Sequence, residues 1–216
     1  ATSANVIITG GNARRVINIS NALNVNINNL TIQNGAVTDA NGAGILLTTG
    51  SLYLENVRGL NCNASGSGVG GFLYIPYNMA VTTNHCYFND NSASSGGGIY
   101  NSGRYTGLNN IFSANSASSS GGAVANIGSS ANAYCNYNIF NGNSASAGSG
   151  GAVAQSGNNS STKFYGNNNI YLGNYAKSCG GAVFLWNGYY YGDRNYFEGN
   201  HVVDNLLAGN TIGMSN

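Results

Sequence analysis

The 216 residues include only seven basic and six acidic side chains, a net charge of +1, and 6% of the chain is charged against about 25% in ordinary soluble domains. Arg14 and Arg15 are a lone basic pair, so nucleic-acid partners are excluded, and the nearly uncharged surface has little electrostatic protection against association. Asn is the commonest residue with 39 copies and Gly follows with 33, but 42% hydrophobic content set in regular columns argues for a packed fold rather than a disordered polar tract.

The chain opens on ATSANVIITGG, a strand-like start with no basic-then-apolar leader, which reads as a mature secreted chain whose leader has been removed. No apolar run approaches a membrane span; GILLTTG is among the longest. In NVNINNLTIQNG, Val25, Ile27, Leu30 and Ile32 alternate with polar residues and predict strands before a turn. GAGI and GGF then place an apolar residue after glycine, and Ile45, Phe72 and Ile99 follow one another every 27 residues.

From residue 88 the pattern becomes regular. Phe88, Phe112, Phe140, Tyr171 and Phe197 are separated by 24, 28, 31 and 26 residues, a spacing that belongs to stacked repeats. Three residues after each comes an asparagine: Asn91, Asn115, Asn143, Asn174 and Asn200. After four of these a Gly-Gly pair leads into Ile99, Val124, Val153 or Val183. No apolar recurrence at helical spacing occurs within a repeat, and short pieces such as NIF, GGAV and KFYG are bounded by Asn, Ser and Gly. Copies of a unit of roughly 27 residues with no crossover helix can stack like residues only if the chain coils and each turn pairs in parallel with the next.

The expected fold is therefore all-β, a single-domain parallel β-helix of roughly seven to eight coils and about 35 Å. It is expected to run over residues 1–216, with irregular coils in 1–87, regular coils in 88–200 and a terminal partial coil in 201–216. The aromatic and aliphatic columns are expected to form interior ladders. The asparagines would take the left-handed turn conformation while their amides bond to the coils above and below. Glycine would permit the corner before the aliphatic strand. Ala93, Ala117, Ala145 and Ala176 would point inward where that corner is narrow.

The phrases FNDN, FSAN, FNGN, YLGN and FEGN, with GGGI and three copies of GGAV, resemble the FxxN and GGA(I/L/V) repeats of the chlamydial polymorphic outer-membrane proteins and related β-helix surface proteins. The resemblance covers residues 88 to 200 well and 30 to 87 weakly. It implies a right-handed β-helix of pectin-lyase-like architecture on an extracellular or cell-surface protein, often an adhesin or envelope component. The 216 residues depart from those proteins in containing no membrane barrel.

Cys62, Cys86, Cys135 and Cys179 make two disulfides arithmetically possible, although their positions in the repeat differ and do not form one column. For an extracellular chain, bridges within or between subunits are the favoured reading over buried thiols. The spacings do not suit a zinc site, and the GGxGxD calcium repeat is missing, so no cofactor or metal is expected. Sequons at Asn18, Asn29, Asn63, Asn158 and Asn159 permit N-glycosylation. Trp186 with Tyr189, Tyr190 and Tyr191 is a candidate platform for stacking cell-surface glycans, the structural alternative being a loop or interface patch.

Polysaccharide lyases and hydrolases need paired carboxylates, or carboxylates holding calcium beside a base. Six acids are scattered here: Asp39, Glu55, Asp90, Asp193, Glu198 and Asp204. Only Asp193, Arg194 and Glu198, approaching Lys163 or Lys177 across coils, would make a cluster. The leading expectation is a secreted, non-enzymatic structural protein that partners itself through coil edges and lateral faces into a filament, sheath or surface layer (S-layer). An adhesin or carbohydrate-binding β-helix is the alternative, and a polysaccharide-degrading enzyme ranks third.

Overall fold

The computed structural model describes residues 6–157, 162–203 and 212–215, and every regular element in them is a β-strand. The chain winds right-handedly through about seven turns as one β-solenoid domain in which all strand pairs are parallel. Each coil visits four sheets. In one turn these are Tyr87–Asn89, Ser92–Ser95, Ile99–Asn101 and Arg104–Leu108, before Ile111–Ser113 returns to the first. We call them the aromatic, serine, aliphatic and long sheets, of eight, seven, eight and seven strands.

The core is built by register. Phe88 lies opposite Phe112, then Phe140, Tyr171 and Phe197 follow coil by coil. Ring centroids stand 4.9, 5.0, 4.9 and 4.7 Å apart, close to the strand spacing, so the backbone ladder sets the stacking. On the aliphatic sheet Ile99, Val124, Val153 and Val183 align and are buried. Ala93, Ala117, Ala145 and Ala176 form the inward column of the serine sheet.

The Gly-Gly pair has two separate causes. Gly121 has φ +66, the left-handed region that L side chains rarely adopt. At Gly122 the reason is room: a Cβ there would meet the Gly151 carbonyl oxygen at 2.2 Å. The corner is thus bent by the first glycine and closed against the next coil by the second.

Two expectations are corrected by the coordinates. The aliphatic column runs Ile45, Leu73, Ile99, so Phe72 is not its member. The cause is Gly59, which stands opposite Phe88 where the aromatic column needs a ring. Phe72 turns into that space and sits 5.1 Å from the Phe88 ring. The second correction concerns the left-handed residue at the aromatic-to-serine corner. It precedes the ladder asparagine: Asp90, Ala114, Gly142, Gly173 and Gly199 have φ between 52 and 63, and Asn91, Asn115, Asn143, Asn174 and Asn200 do not share that conformation.

Candidate functional site

The asparagine column is a hydrogen-bonded spine. Asn115 donates both its backbone N–H and its Nδ2 to Asn143 Oδ1 at 3.0 Å, and the same Nδ2 donates to the Phe88 carbonyl at 3.0 Å. Asn91, Asn143 and Asn174 repeat this arrangement, and Asn200 closes it on the Tyr171 carbonyl. All five are buried, so the amide supplies both donor and acceptor where water has no access.

A second spine escaped the sequence reading. Asn110, Asn138 and Asn169 are fully buried at the long-to-aromatic corner, and each donates its backbone N–H to the amide oxygen of the next: Asn138, Asn169 and Asn195. The signal was present, since each lies two residues before a column aromatic. A third buried chain joins Asn101, Asn126 and Gln155 at the end of the aliphatic sheet.

Two of the four cysteines, Cys62 and Cys86, belong to these spines. No disulfide joins Cys62, Cys86, Cys135 or Cys179 within the chain, which corrects the intrachain reading. Cys62 occupies the place one coil before Asn91, and its backbone N–H donates to Asn91 Oδ1 at 3.0 Å. Cys86 stands in the same relation to Asn110, at 2.9 Å. Each sulfur accepts a backbone N–H from the coil before, Gly35 for Cys62 and Val57 for Cys86, as an amide oxygen does further along. The thiol protons go to carbonyls, Leu60 for Cys62 and Asn84 for Cys86. Burial pushes both thiols up to about 11, and Cys135, fully buried on the long sheet, is also raised by burial. Three of the four are therefore shielded neutral thiols; Cys179 is half-buried.

The proposed glycan platform divides by strand alternation. Tyr190 points inward, 5.6 Å from the Phe164 ring, and Asn195 Nδ2 donates to its hydroxyl at 3.1 Å, so it is a core residue. Tyr189, Tyr191 and Trp186 face outward, with exposures of 48, 46 and 44%. Tyr191 is the last of a row, Tyr134, Tyr165 and Tyr191, stacked at 4.6 and 4.9 Å with interplanar angles of 2° and 14°. The faces of Tyr165 are consequently covered on both sides. Asn18, Asn29 and Asn63 are exposed, while Asn158 and Asn159 lie outside the described residues.

The acids are engaged locally. Asp193 pairs with its neighbour Arg194 at 3.1 Å, and Glu198 accepts from the Tyr196 hydroxyl at 2.9 Å. Asp39 accepts from the Ser67 backbone and hydroxyl, which lowers its pKa. Glu55 accepts from Tyr53, Asn84 and His85; its pKa is lowered, chiefly by the Tyr53 hydroxyl. Asp90 accepts from Asn89. Asp204 falls outside the described residues. Among the described residues no three His, Cys, Asp or Glu side chains gather as a metal site would require, and no helix is long and apolar enough to cross a membrane. No protein-family model, curated protein or solved structure matches the chain.

Proposed function

We propose that the chain is a building block of an extracellular structural assembly, a stiff rod without catalytic activity that joins copies of itself into a filament, sheath or surface layer. The observation that carries this reading is the near absence of charge on the faces of a rod whose repeated residues are buried in its own core. Val6–Thr9 pairs only with Leu30–Gln33 among the described residues, and Val6, Ile7 and Ile8 are 53, 52 and 37% exposed. Where that edge of the aromatic sheet is uncovered it is a template for a further parallel strand, and the usual protections, charge, proline or a bulge, are missing from its four residues. The repeated residues support a mechanical role, since each is consumed in ring stacks, aliphatic packing or amide spines. The nearly uncharged faces offer little repulsion between neighbouring rods.

The test is sedimentation of the purified chain over a range of concentrations, beside an Ile7→Lys variant. Ile7 is 52% exposed and alternates with Ile8, which lies opposite the buried Ile32, so the lysine charges the edge without entering the core. Assembly that grows with concentration and is suppressed by Ile7→Lys agrees with the proposal. A chain that stays monomeric at every concentration refutes it.

A further inference from the structure

We propose that the outer face of the long sheet is a binding strip for an acidic polysaccharide, one carrying carboxylates on alternate sugars. Ala133 and Phe164 point into the core, so Arg104, Asn132 and Lys163, aligned by register, point out. The two cations thus share one column, two coils apart, with backbones about 9.5 Å from each other. In a chain with seven basic residues, two in one outward column form a local positive field. No carboxylate pairs with either among the described residues: Glu55, on the same sheet, is held by Tyr53 and Asn84, and Asp193, past the end of its last strand, by Arg194.

The neighbouring outward column is Tyr134, Tyr165 and Tyr191. Tyr165 has both faces covered by its neighbours, Tyr134 has Tyr165 on one face and Arg104 over it with the guanidinium carbon 5.6 Å from the ring centre, and Tyr191 ends the row with one face on Tyr165. What remains for a ligand is a row of ring edges and phenol hydroxyls, which suits sugar hydroxyls rather than flat rings. A shallow recess of about 200 Å³ lies beside Arg104, lined by Tyr77, Asn78, Ser130 and Asn132 among others, with no acid in its wall. Arg104 there can grip a carboxylate in bidentate fashion while the amides take neighbouring hydroxyls.

Charge spacing and ring orientation choose the polymer. A nucleic-acid strand carries a charge about every 3.4 Å, far denser than one cation per two coils, and binds aromatic rings through their faces, which are covered at Tyr134 and Tyr165, the rings beside the cations. A neutral glycan would leave both cations without a partner. A polysaccharide with an acid on every second sugar places its charges at long intervals and its hydroxyls between them, as the strip does. This inference is independent of self-association, because the strip is complete within one chain.

The experiment titrates the full chain with a hyaluronan oligosaccharide, in which glucuronate alternates with a neutral sugar, beside a neutral dextran oligosaccharide and an oligo-dT, at low and physiological salt. Hyaluronan is expected to bind, to weaken with salt and to exceed both controls. Arg104→Gln and Lys163→Gln should each lower the affinity about tenfold with unchanged melting curves, while Lys163→Arg retains it. Absence of hyaluronan binding at low salt, binding indifferent to both glutamine variants, dextran binding as tight as hyaluronan, or oligo-dT binding tighter than hyaluronan would each overturn the proposal.

Discussion

Gly59 and Phe72 are complementary: a Cβ built on Gly59 would lie 2.5 Å from the Phe72 ring, because that ring fills the column position the glycine leaves empty. The equivalent of Phe72 in later coils is Gly98, Ala123, Ala152 and Ala182, which precede the aliphatic strands directly. One coil therefore carries its core ring on a different wall from the coils that follow.

That exchange predicts a non-additive pair. Phe72→Ala should cost about 3–5 kcal/mol through the cavity it opens, and Gly59→Phe should destabilise by overpacking. The double variant Gly59→Phe/Phe72→Ala restores the arrangement of the later coils and should be more stable than either single variant. A double-mutant cycle from urea unfolding measures this coupling, and simple additivity would contradict it.

Asn143 lies mid-spine. Asn143→Ala removes the acceptor for the Asn115 backbone and side-chain N–H groups and the donors to Phe112 and Asn174. Several buried polar groups are then orphaned, each costing about 1–3 kcal/mol. The loss of stability should exceed that of Asn109→Ala, whose amide makes an exposed bond to Asn84. Thermal melts of the two variants compare them directly.

Cys62 and Cys86 head their spines, so they should react only when the fold opens. With a thiol reagent near neutral pH, Cys179 should be modified in the native protein, and Cys62, Cys86 and Cys135 only after denaturation. Rapid native labelling of all four would contradict their burial. Because Cys62 already sits in an asparagine position, Cys62→Asn should be tolerated better than Cys62→Leu, which supplies no acceptor for Gly35 N–H.

The same thiols set an alkaline limit. Their folded pKa values, about 11, stand above the ordinary 9.0, so the stabilising neutral form is fully present below pH 9. Above it the unfolded chain releases protons that the folded chain retains, and stability falls as pH rises toward 11. Buried Tyr105 and Tyr171, also raised by burial, extend the decline upward. Urea midpoints at about pH 8 and about pH 10.5 should differ, and replacing both Cys62 and Cys86 with Ser should reduce the difference, leaving the share of Cys135 and the buried tyrosines.

Much of this was legible because a solenoid converts sequence period into spatial contact. Phe88 to Phe197, their following asparagines and the GGAV valines lie at constant offsets, and register brought each column together. Gly59 hid the rest. Without a ring at that position the column seemed to begin at Phe88, so Cys62, three residues after Gly59, did not read as the counterpart of Asn91. The second spine was concealed by abundance, because any offset samples many asparagines in a chain that has 39. The outward strip was not legible at all, since Arg104 and Lys163 meet only through the register of loops of unequal length.

Electron microscopy with oriented diffraction from the concentrated, purified protein tests the structural role most directly. Ordered filaments or sheets with a repeat of about 4.8 Å along the rod axis are expected. Isolated short rods at the highest attainable concentration would contradict it.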